Sequence, residues 1–220
     1  MGSILIVLGA AILLAGVLYF ENQENRQGLV PTKTLLSFLF ILVVLISPHR
    51  IPRYTRFLLI GLGFCLGGDF FLALPQRKMF VLGLVSFLLG NVFYIFAFQI
   101  VTNVNAWTWI GSSGALIISG CVYFWLRPHL GPMHGPVLLY IIAITLMLSG
   151  ASSVFGNSNL NPQGRIMVLV GALSFYFSDV FVARDRFLKK AFFNRLVGLP
   201  MYYTGQFLLA FSVGSLRLLG

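Results

Sequence analysis

Long apolar runs separated by short polar linkers dominate the chain. Eight of these runs are long enough, or nearly so, to cross a bilayer as helices, which need about 20 apolar residues. They lie at residues 3–20, 34–48, 57–74, 79–101, 104–126, 136–154, 166–183 and 197–216. The second run is short, so we expect Lys33 and Arg50 at its ends to reach towards the lipid headgroups. The pattern predicts an all-α, polytopic membrane protein with about eight transmembrane helices in a single membrane domain, 1–220.

The composition agrees with this interpretation. Of the 220 residues, 58% are hydrophobic and 9% are charged, whereas soluble domains carry about 25% charged residues. No basic residue precedes the first run and no small-residue cleavage site follows it, so we expect a retained helix rather than a signal peptide. Cys65 and Cys121 lie in apolar runs, and the three histidines lack metal-ligand spacing. We therefore expect no disulfide, no metal site and no cofactor.

The basic residues predict an orientation. The formal net charge is +10, and most of the 15 lysines and arginines fall in linkers on one side of the predicted bundle. Because Lys and Arg concentrate in cytoplasmic loops, we expect that side to be cytoplasmic and both termini to lie outside. The expected location is a bacterial inner membrane, with the membrane and a lipid as partners and no nucleic acid. The oligomeric state is left open.

Two aspartates are conspicuous because each lies inside an apolar run. Asp69 is the only charged residue in 57–74, and Asp179 is the only one in 166–183. An acidic group in hydrocarbon costs about 2.5–3.5 kcal/mol, so it usually has a function or a partner. Both runs are expected to point the same way, which places both carboxyls about 9 Å below one membrane surface. They could share a cavity there, or each could pair with an arginine such as Arg77 or Arg184.

A weak internal repeat relates the two aspartates. Aligning Asp69 with Asp179 also matches Gly61 with Gly171 and, after a loop that is five residues longer in the second half, Gly83 with Gly198 and Gly90 with Gly205. In both halves an amide residue follows the last of these glycines. The sequence thus predicts a possible parallel repeat of helices 3–4 and 7–8, each hairpin supplying an aspartate and then an amide.

Further polar side chains within the apolar runs are candidates for binding a substrate. They are Asn91, Tyr94, Ser178, Tyr202, Tyr203 and Gln206. Tyr202 and Gln206 are four residues apart and therefore share one face of a helix. The structural alternatives are hydrogen bonding between helices for the amides and anchoring at the membrane interface for the tyrosines.

A basic run follows Asp179 and begins with Arg184 and Arg186. The simplest interpretation is a solvated loop beside the membrane, and the functional one is a phosphate-binding group next to the carboxyls. The sequence contains no Gly-x-Ser-x-Gly, His-Glu-x-x-His or Walker motif. Serine-hydrolase and zinc-hydrolase mechanisms therefore have no local support.

Several of these segments resemble the YhhN family, a group of eight-span membrane proteins that includes the animal lysoplasmalogenases. The resemblance covers most of the chain from about Arg56 onward and rests on residues 62–72, 83–95, 171–179 and 202–206. It is clearest at Gly68-Asp69, Ser178-Asp179 and Tyr202-x-x-x-Gln206. It implies a lysophospholipid substrate and hydrolysis of the vinyl ether bond of lysoplasmalogens, which releases a fatty aldehyde. The family often has histidine where this chain has Asn91, so any proton transfer by that histidine is lost here.

The chemistry of a vinyl ether suits a pair of carboxyls. Protonation of the alkene carbon gives an oxocarbenium ion that water attacks, so a proton donor and an anionic group are needed. We expect Asp69 and Asp179 to be this catalytic pair, with the order of their roles open, and the polar residues named above to orient substrate or water. Two other classes stay open: a proton-coupled lipid or small-solute transporter and a lipid-binding scaffold.

Overall fold

The computed structural model describes residues 2–219, apart from the side chains of Ser3 and Arg77. Eight α-helices follow one another: α1 (Gly2–Asn22), α2 (Arg26–Ile46), α3 (Pro52–Ala73), α4 (Arg77–Val101), α5 (Ala106–Leu126), α6 (His134–Gly156), α7 (Pro162–Ala183) and α8 (Phe192–Ser215). All eight are long and apolar enough to cross a membrane. The prediction of an all-α, polytopic membrane protein with eight transmembrane helices is confirmed.

Local sequence signals set several of the helix ends. The side chain of Asn25 accepts a hydrogen bond from the backbone N–H of Gly28 (3.2 Å) and so caps the start of α2. A reciprocal pair of hydrogen bonds between Asn105 and Thr108 caps the start of α5. Proline begins α3 and α7, at a position where the helix needs no N–H donor. The short linkers between these ends make consecutive helices antiparallel.

The second helix begins earlier than the apolar pattern predicts. The predicted run starts at residue 34, whereas α2 starts at Arg26 and contains Lys33 two turns from its beginning. Lys33 is only 2% exposed, so the expectation that it reaches the headgroup layer is wrong. A lysine lowers the local hydropathy even when its charge is compensated inside the bundle, and this hid the first two turns of the helix.

The bundle is arranged around α6 and α8. The last helix, α8, contacts α1, α2, α3 and α7, while α6 contacts α4, α5 and α7. The helices α1 and α5 are peripheral: α1 packs on α2 and α8, and α5 packs chiefly on α6. The interior therefore lies between α6 and α8 and the helices that pack on them.

Close backbone contacts hold the hairpins α3–α4 and α7–α8 together. A Cβ atom on Gly90 would lie 3.1 Å from the carbonyl oxygen of Gly61, and a Cβ atom on Gly205 would lie 2.8 Å from that of Gly171. Glycine at these positions lets two helices approach closely, which is a common way to pack helices in membranes. These four glycines are also the ones that the sequence alignment matched, although the repeat itself stays a prediction.

A π-helical turn, Arg184–Leu188, connects α7 to the linker before α8. The carboxylate of Asp185 in this turn accepts hydrogen bonds from Nδ2 of Asn194 (3.2 Å) and from Nη2 of Arg195 (2.9 Å). These contacts fix the turn to the first residues of α8. The start of α8 is thereby held against the end of α7, next to a cavity between the helices.

Candidate functional site

A cavity lies between the helices at one end of the bundle. The cavity volume open to the centre of a water-sized sphere is about 110 Å³, which is room for several water molecules. Its walls come from the second halves of α3, α5 and α7, the first halves of α4, α6 and α8, and Lys33 of α2. All of these lie next to the linkers that carry most of the basic residues. Most of the lining side chains are apolar.

Asp69 on α3 lines this cavity and has three hydrogen-bonding or ionic partners. The ammonium of Lys33 lies 3.2 Å from Oδ1, and the hydroxyls of Ser37 and Tyr202 each donate to Oδ2 at 2.6 Å. The Asp69 side chain is only 1% exposed. An ammonium and two hydroxyl donors compensate its negative charge, which makes a buried carboxylate tolerable in this interior.

Asp179 on α7 lines the same cavity with different neighbours. The hydroxyl of Tyr140 on α6 donates a hydrogen bond of 2.5 Å to its Oδ2. None of the side chains that the structure describes places a cation within 4.0 Å of this carboxyl. The two aspartates therefore share a cavity but not an electrostatic environment.

The two carboxyls lie at matched positions in their helices. Asp69 is four residues before the end of α3, and Asp179 is four residues before the end of α7. Both helices end on the same side of the bundle, so at about 1.5 Å per residue each carboxyl lies about 6 Å from that end. Ser178 and Tyr202 also line the cavity, and the Ser178 hydroxyl donates to the backbone oxygen of Phe175 (2.7 Å).

The sequence suggested Arg77 or Arg184 as a possible ionic partner of the two aspartates, but the ion pair in the structure involves a lysine. Asp69 is paired with Lys33 rather than with an arginine. Arg184 donates a hydrogen bond to Oδ1 of Asn194 (2.9 Å). The side chain of Arg77 lies outside the described part of the chain.

Three other predicted residues, Tyr94, Tyr203 and Gln206, make hydrogen bonds between helices but do not line the cavity. The hydroxyl of Tyr94 donates to Oε1 of Gln206 (2.6 Å), which joins α4 to α8. The hydroxyl of Tyr203 lies 3.2 Å from that of Ser37 and so supports one of the donors to Asp69. All three are buried, and their contacts are those expected for structural hydrogen bonds between helices.

Asn91 on α4 is fully buried but does not line the cavity. Its Nδ2 donates a hydrogen bond to the backbone oxygen of Phe87 (3.0 Å). Its Oδ1 has no hydrogen-bond partner among the residues that the structure describes. A buried, unpartnered carbonyl oxygen costs about 1–3 kcal/mol, so this asparagine is not explained by helix packing alone.

The two predicted phosphate-binding arginines lie around the cavity rather than in its walls. The guanidinium carbon of Arg186 lies 4.2 Å from the centre of the Phe80 ring, and Phe80 is a cavity residue. Arg184 is bound to Asn194, which also lines the cavity. Arg195 is itself a lining residue and is paired with Asp185.

Sequence reasoning missed Lys33, Ser37 and Tyr140 as site residues. Lys33 could have been recognised from the sequence, because Ser37 follows it by one helical turn and a buried lysine needs a carboxylate partner. Tyr140 could not, since nothing in the sequence distinguishes it among the eight tyrosines of the chain. Among the described residues, no group of three or more His, Cys, Asp or Glu side chains could hold a metal ion.

These features define a class of protein: a multi-pass helical membrane protein with an acidic site inside the bundle. The model of one family, the YhhN family, matches residues 29–213. The chain therefore belongs to the YhhN family, which confirms the resemblance found in its sequence segments. No solved structure matches the chain significantly.

Several curated proteins are similar to this chain over most of its length. The bovine (Bos taurus) protein named lysoplasmalogenase TMEM86A is 30% identical over 173 residues, covering 76% of this chain and 68% of the bovine protein. A lysoplasmalogenase of Mycobacterium bovis is 29% identical over 178 residues, covering 76% of this chain and 63% of its own length. The human (Homo sapiens) TMEM86A protein is 27% identical over 172 residues. The chain thus spans about two thirds of the length of these relatives.

Proposed function

We propose that this protein is a membrane hydrolase that cleaves the vinyl ether bond of lysoplasmalogens. The observation that carries the proposal is the pair of carboxyls, Asp69 and Asp179, which line one cavity from two different helices. Membership of the YhhN family and the lysoplasmalogenase names of its relatives support the same substrate class.

The proposed reaction needs only a proton, water and an anionic group. One carboxylic acid donates a proton to the alkene carbon that is not bonded to oxygen, which leaves a positive charge shared between the other alkene carbon and the ether oxygen. The second carboxylate stabilises this cation. Water adds to the positively charged carbon, and the resulting hemiacetal divides into a fatty aldehyde and a glycerophospho-alcohol. The division of labour is similar to that of the two carboxyls in glycosidases.

The position of the cavity suits a single-chain phospholipid. Its mostly apolar lining can accommodate an alkyl chain, and the carboxyls lie a few ångströms from the helix ends. A vinyl ether next to the glycerol backbone lies at this depth when the headgroup is at the membrane surface. The arginines around the cavity, including Arg186, are suited to bind the phosphate, because guanidinium groups hydrogen-bond well to phosphate oxygens.

The test is to incubate purified protein with a lysoplasmalogen in D₂O and to analyse the products by mass spectrometry. We expect a fatty aldehyde carrying one deuterium on the carbon next to the carbonyl group, because that carbon receives the proton. A lysolipid with a saturated ether and one with an ester are the matched substrate controls, and both should remain intact. Aldehyde without deuterium, or release of fatty acid from the ester, would contradict the mechanism.

Variants of the two carboxyls test the residue assignment. Asp69→Asn and Asp179→Asn keep the side-chain size but remove the charge, and each should lower the rate of aldehyde release by about 100-fold or more. Asp179→Asn should still be recovered from membranes as folded protein, whereas Asp69→Asn should also lose stability, because it leaves the buried Lys33 ammonium without its carboxylate. Full activity in both would exclude the assignment, and transfer of unchanged lysolipid across proteoliposomes without cleavage would favour a transporter.

A further inference from the structure

The two cavity carboxyls differ in the charge beside them. Asp69 has the Lys33 ammonium 3.2 Å from one oxygen and two hydroxyl donors on the other. Among the residues that the structure describes, Asp179 accepts a hydrogen bond from Tyr140 alone. Because Lys33 is almost completely buried, its charge is not screened by bulk water, and Asp69 is its ionic partner.

Burial makes this difference chemically important. A charge inside an apolar interior is stable only when an opposite charge and hydrogen bonds compensate it, and an uncompensated acid avoids the cost by keeping its proton. A second carboxyl in the same cavity strengthens the effect, because a nearby negative charge disfavours ionisation of the other. Lys33 makes the two carboxyls unequal, because its ammonium lies beside Asp69.

We propose that Lys33 is a positioning residue that assigns the two carboxyls their roles: it keeps Asp69 ionised, so that Asp179 holds the proton that is delivered to the alkene carbon. This inference rests on the proposed hydrolysis and adds the identity of the acid. Asp179 loses its proton as the new C–H bond forms, and Asp69 provides the negative charge beside the cation. The attacking water then returns a proton to Asp179, which restores the starting state.

The other titratable groups around the cavity do not compete with Lys33 for this role. Tyr202 on α8 and Tyr140 on α6 are hydrogen-bond donors to the two carboxyls. The guanidinium of Arg195 on α8 is paired with Asp185 and Glu21. The described lining residues of α4 and α5 carry no titratable group. Tyr176 on α7 also lines the cavity, and Cys65, Tyr94 and Tyr203 are buried titratable side chains of α3, α4 and α8.

Infrared spectroscopy tests the inference without any substrate. A protonated carboxyl group has a carbonyl band that a carboxylate lacks, and the wild-type protein should have this band at pH 7. The band should be absent from Asp179→Asn, because Lys33 holds the remaining carboxyl ionised. It should return in the double variant Asp179→Asn/Lys33→Met, because Asp69 then has no cation beside it. The matched control is Asp179→Asn/Arg56→Met, which removes an exposed cation from the opposite end of α3 and should have no band.

Two results would overturn the inference. A band that persists in Asp179→Asn would mean that Asp69 is protonated despite Lys33. A double variant with Lys33→Met that lacks the band would mean that Lys33 does not decide the protonation of Asp69. Neither result depends on which lipid is the substrate, so failure of the inference can be told apart from failure of the proposed function, in which the wild type would not cleave lysoplasmalogens.

Kinetics provide the second readout, since a merely structural lysine would not move a pH profile. We expect Lys33→Met to lower kcat about 10- to 100-fold with a smaller change in KM. Both limbs of its pH–rate profile should move to higher pH, because both carboxyls bind protons more readily once the cation is gone. Lys33→Arg and Arg56→Met should both have the pH–rate profile of the wild type, the first because it keeps the cation and the second because it does not touch the cavity. A lower rate with an unmoved profile would contradict the assigned role.

Discussion

At the scale of single residues, Tyr94 and Tyr202 differ in their hydrogen-bond partners although both are buried. Tyr202 lines the cavity and donates to Asp69 at 2.6 Å. Tyr94 lies outside the cavity and donates to Gln206 at the same distance. Removal of either hydroxyl deletes one short hydrogen bond, but only the first hydrogen bond ends on a carboxyl of the proposed site.

We therefore expect Tyr202→Phe to lower the rate of the reaction and Tyr94→Phe to lower the stability of the protein. Tyr202→Phe should lower the rate of aldehyde release by about tenfold, because a hydrogen bond to a charged group contributes about 1.5–3 kcal/mol. Tyr94→Phe should keep its rate but lose about 1–3 kcal/mol of stability in detergent unfolding, since Gln206 is left with an unpartnered oxygen. Equal rates for the two variants would contradict the separation of roles.

Hydropathy alone predicted the carboxyls of the site but not their partners. Asp69 and Asp179 are conspicuous in any apolar run, because an isolated acid in hydrocarbon is costly whatever the fold. The contacts of Asp69 with Lys33 and of Asp179 with Tyr140 join different helices, and helix packing determines them rather than local sequence. The lysine was also misplaced, because hydropathy cannot distinguish a charge at the membrane surface from a compensated charge inside the bundle.

At the scale of helices, glycine pairs determine how closely two hairpins pack. The Gly61–Gly90 contact joins α3 to α4, and the Gly171–Gly205 contact joins α7 to α8. The second pair lies two turns below Asp179 in its hairpin. The existence and order of the helices followed from apolar periodicity, whereas these contacts could be anticipated only through the proposed alignment of the two hairpins.

The substitution Gly205→Ala should destabilise the protein by about 1–3 kcal/mol, because the added methyl group meets backbone atoms of the facing helix that cannot rotate away. Its Cβ atom would lie 2.8 Å from the Gly171 oxygen and 2.9 Å from the Phe175 nitrogen. Gly63→Ala is the matched control, since a Cβ atom there meets nothing within 4 Å. Thermal unfolding of the purified variants should separate them, and equal midpoints would contradict the close contact.

At the scale of the whole molecule, the cavity occupies only one end of the bundle. The carboxyls, Lys33 and the basic linkers all belong to this end. The orientation predicted from the basic residues would place it on the cytoplasmic side. A lysolipid can then enter with its headgroup on that side alone, because a charged headgroup does not readily cross hydrocarbon.

Sealed membrane vesicles of opposite orientation test this asymmetry. Lysoplasmalogen added outside should be cleaved by inside-out vesicles, which present the basic linkers to the medium, and not by right-side-out vesicles. Permeabilising both preparations with detergent should make their rates equal, which controls for the amount of protein. Equal rates in intact vesicles would contradict the predicted orientation or the one-sided access to the cavity.

The one-ended cavity also determines where the two products go. Under the proposed chemistry, the substrate comes from a single leaflet and the glycerophospho-alcohol returns to the water on that same side. The fatty aldehyde has no charged group, so it equilibrates between both leaflets. Each turnover would therefore take one lipid from one face of the membrane and leave a neutral molecule that belongs to neither, which changes the area balance of the bilayer as well as its composition.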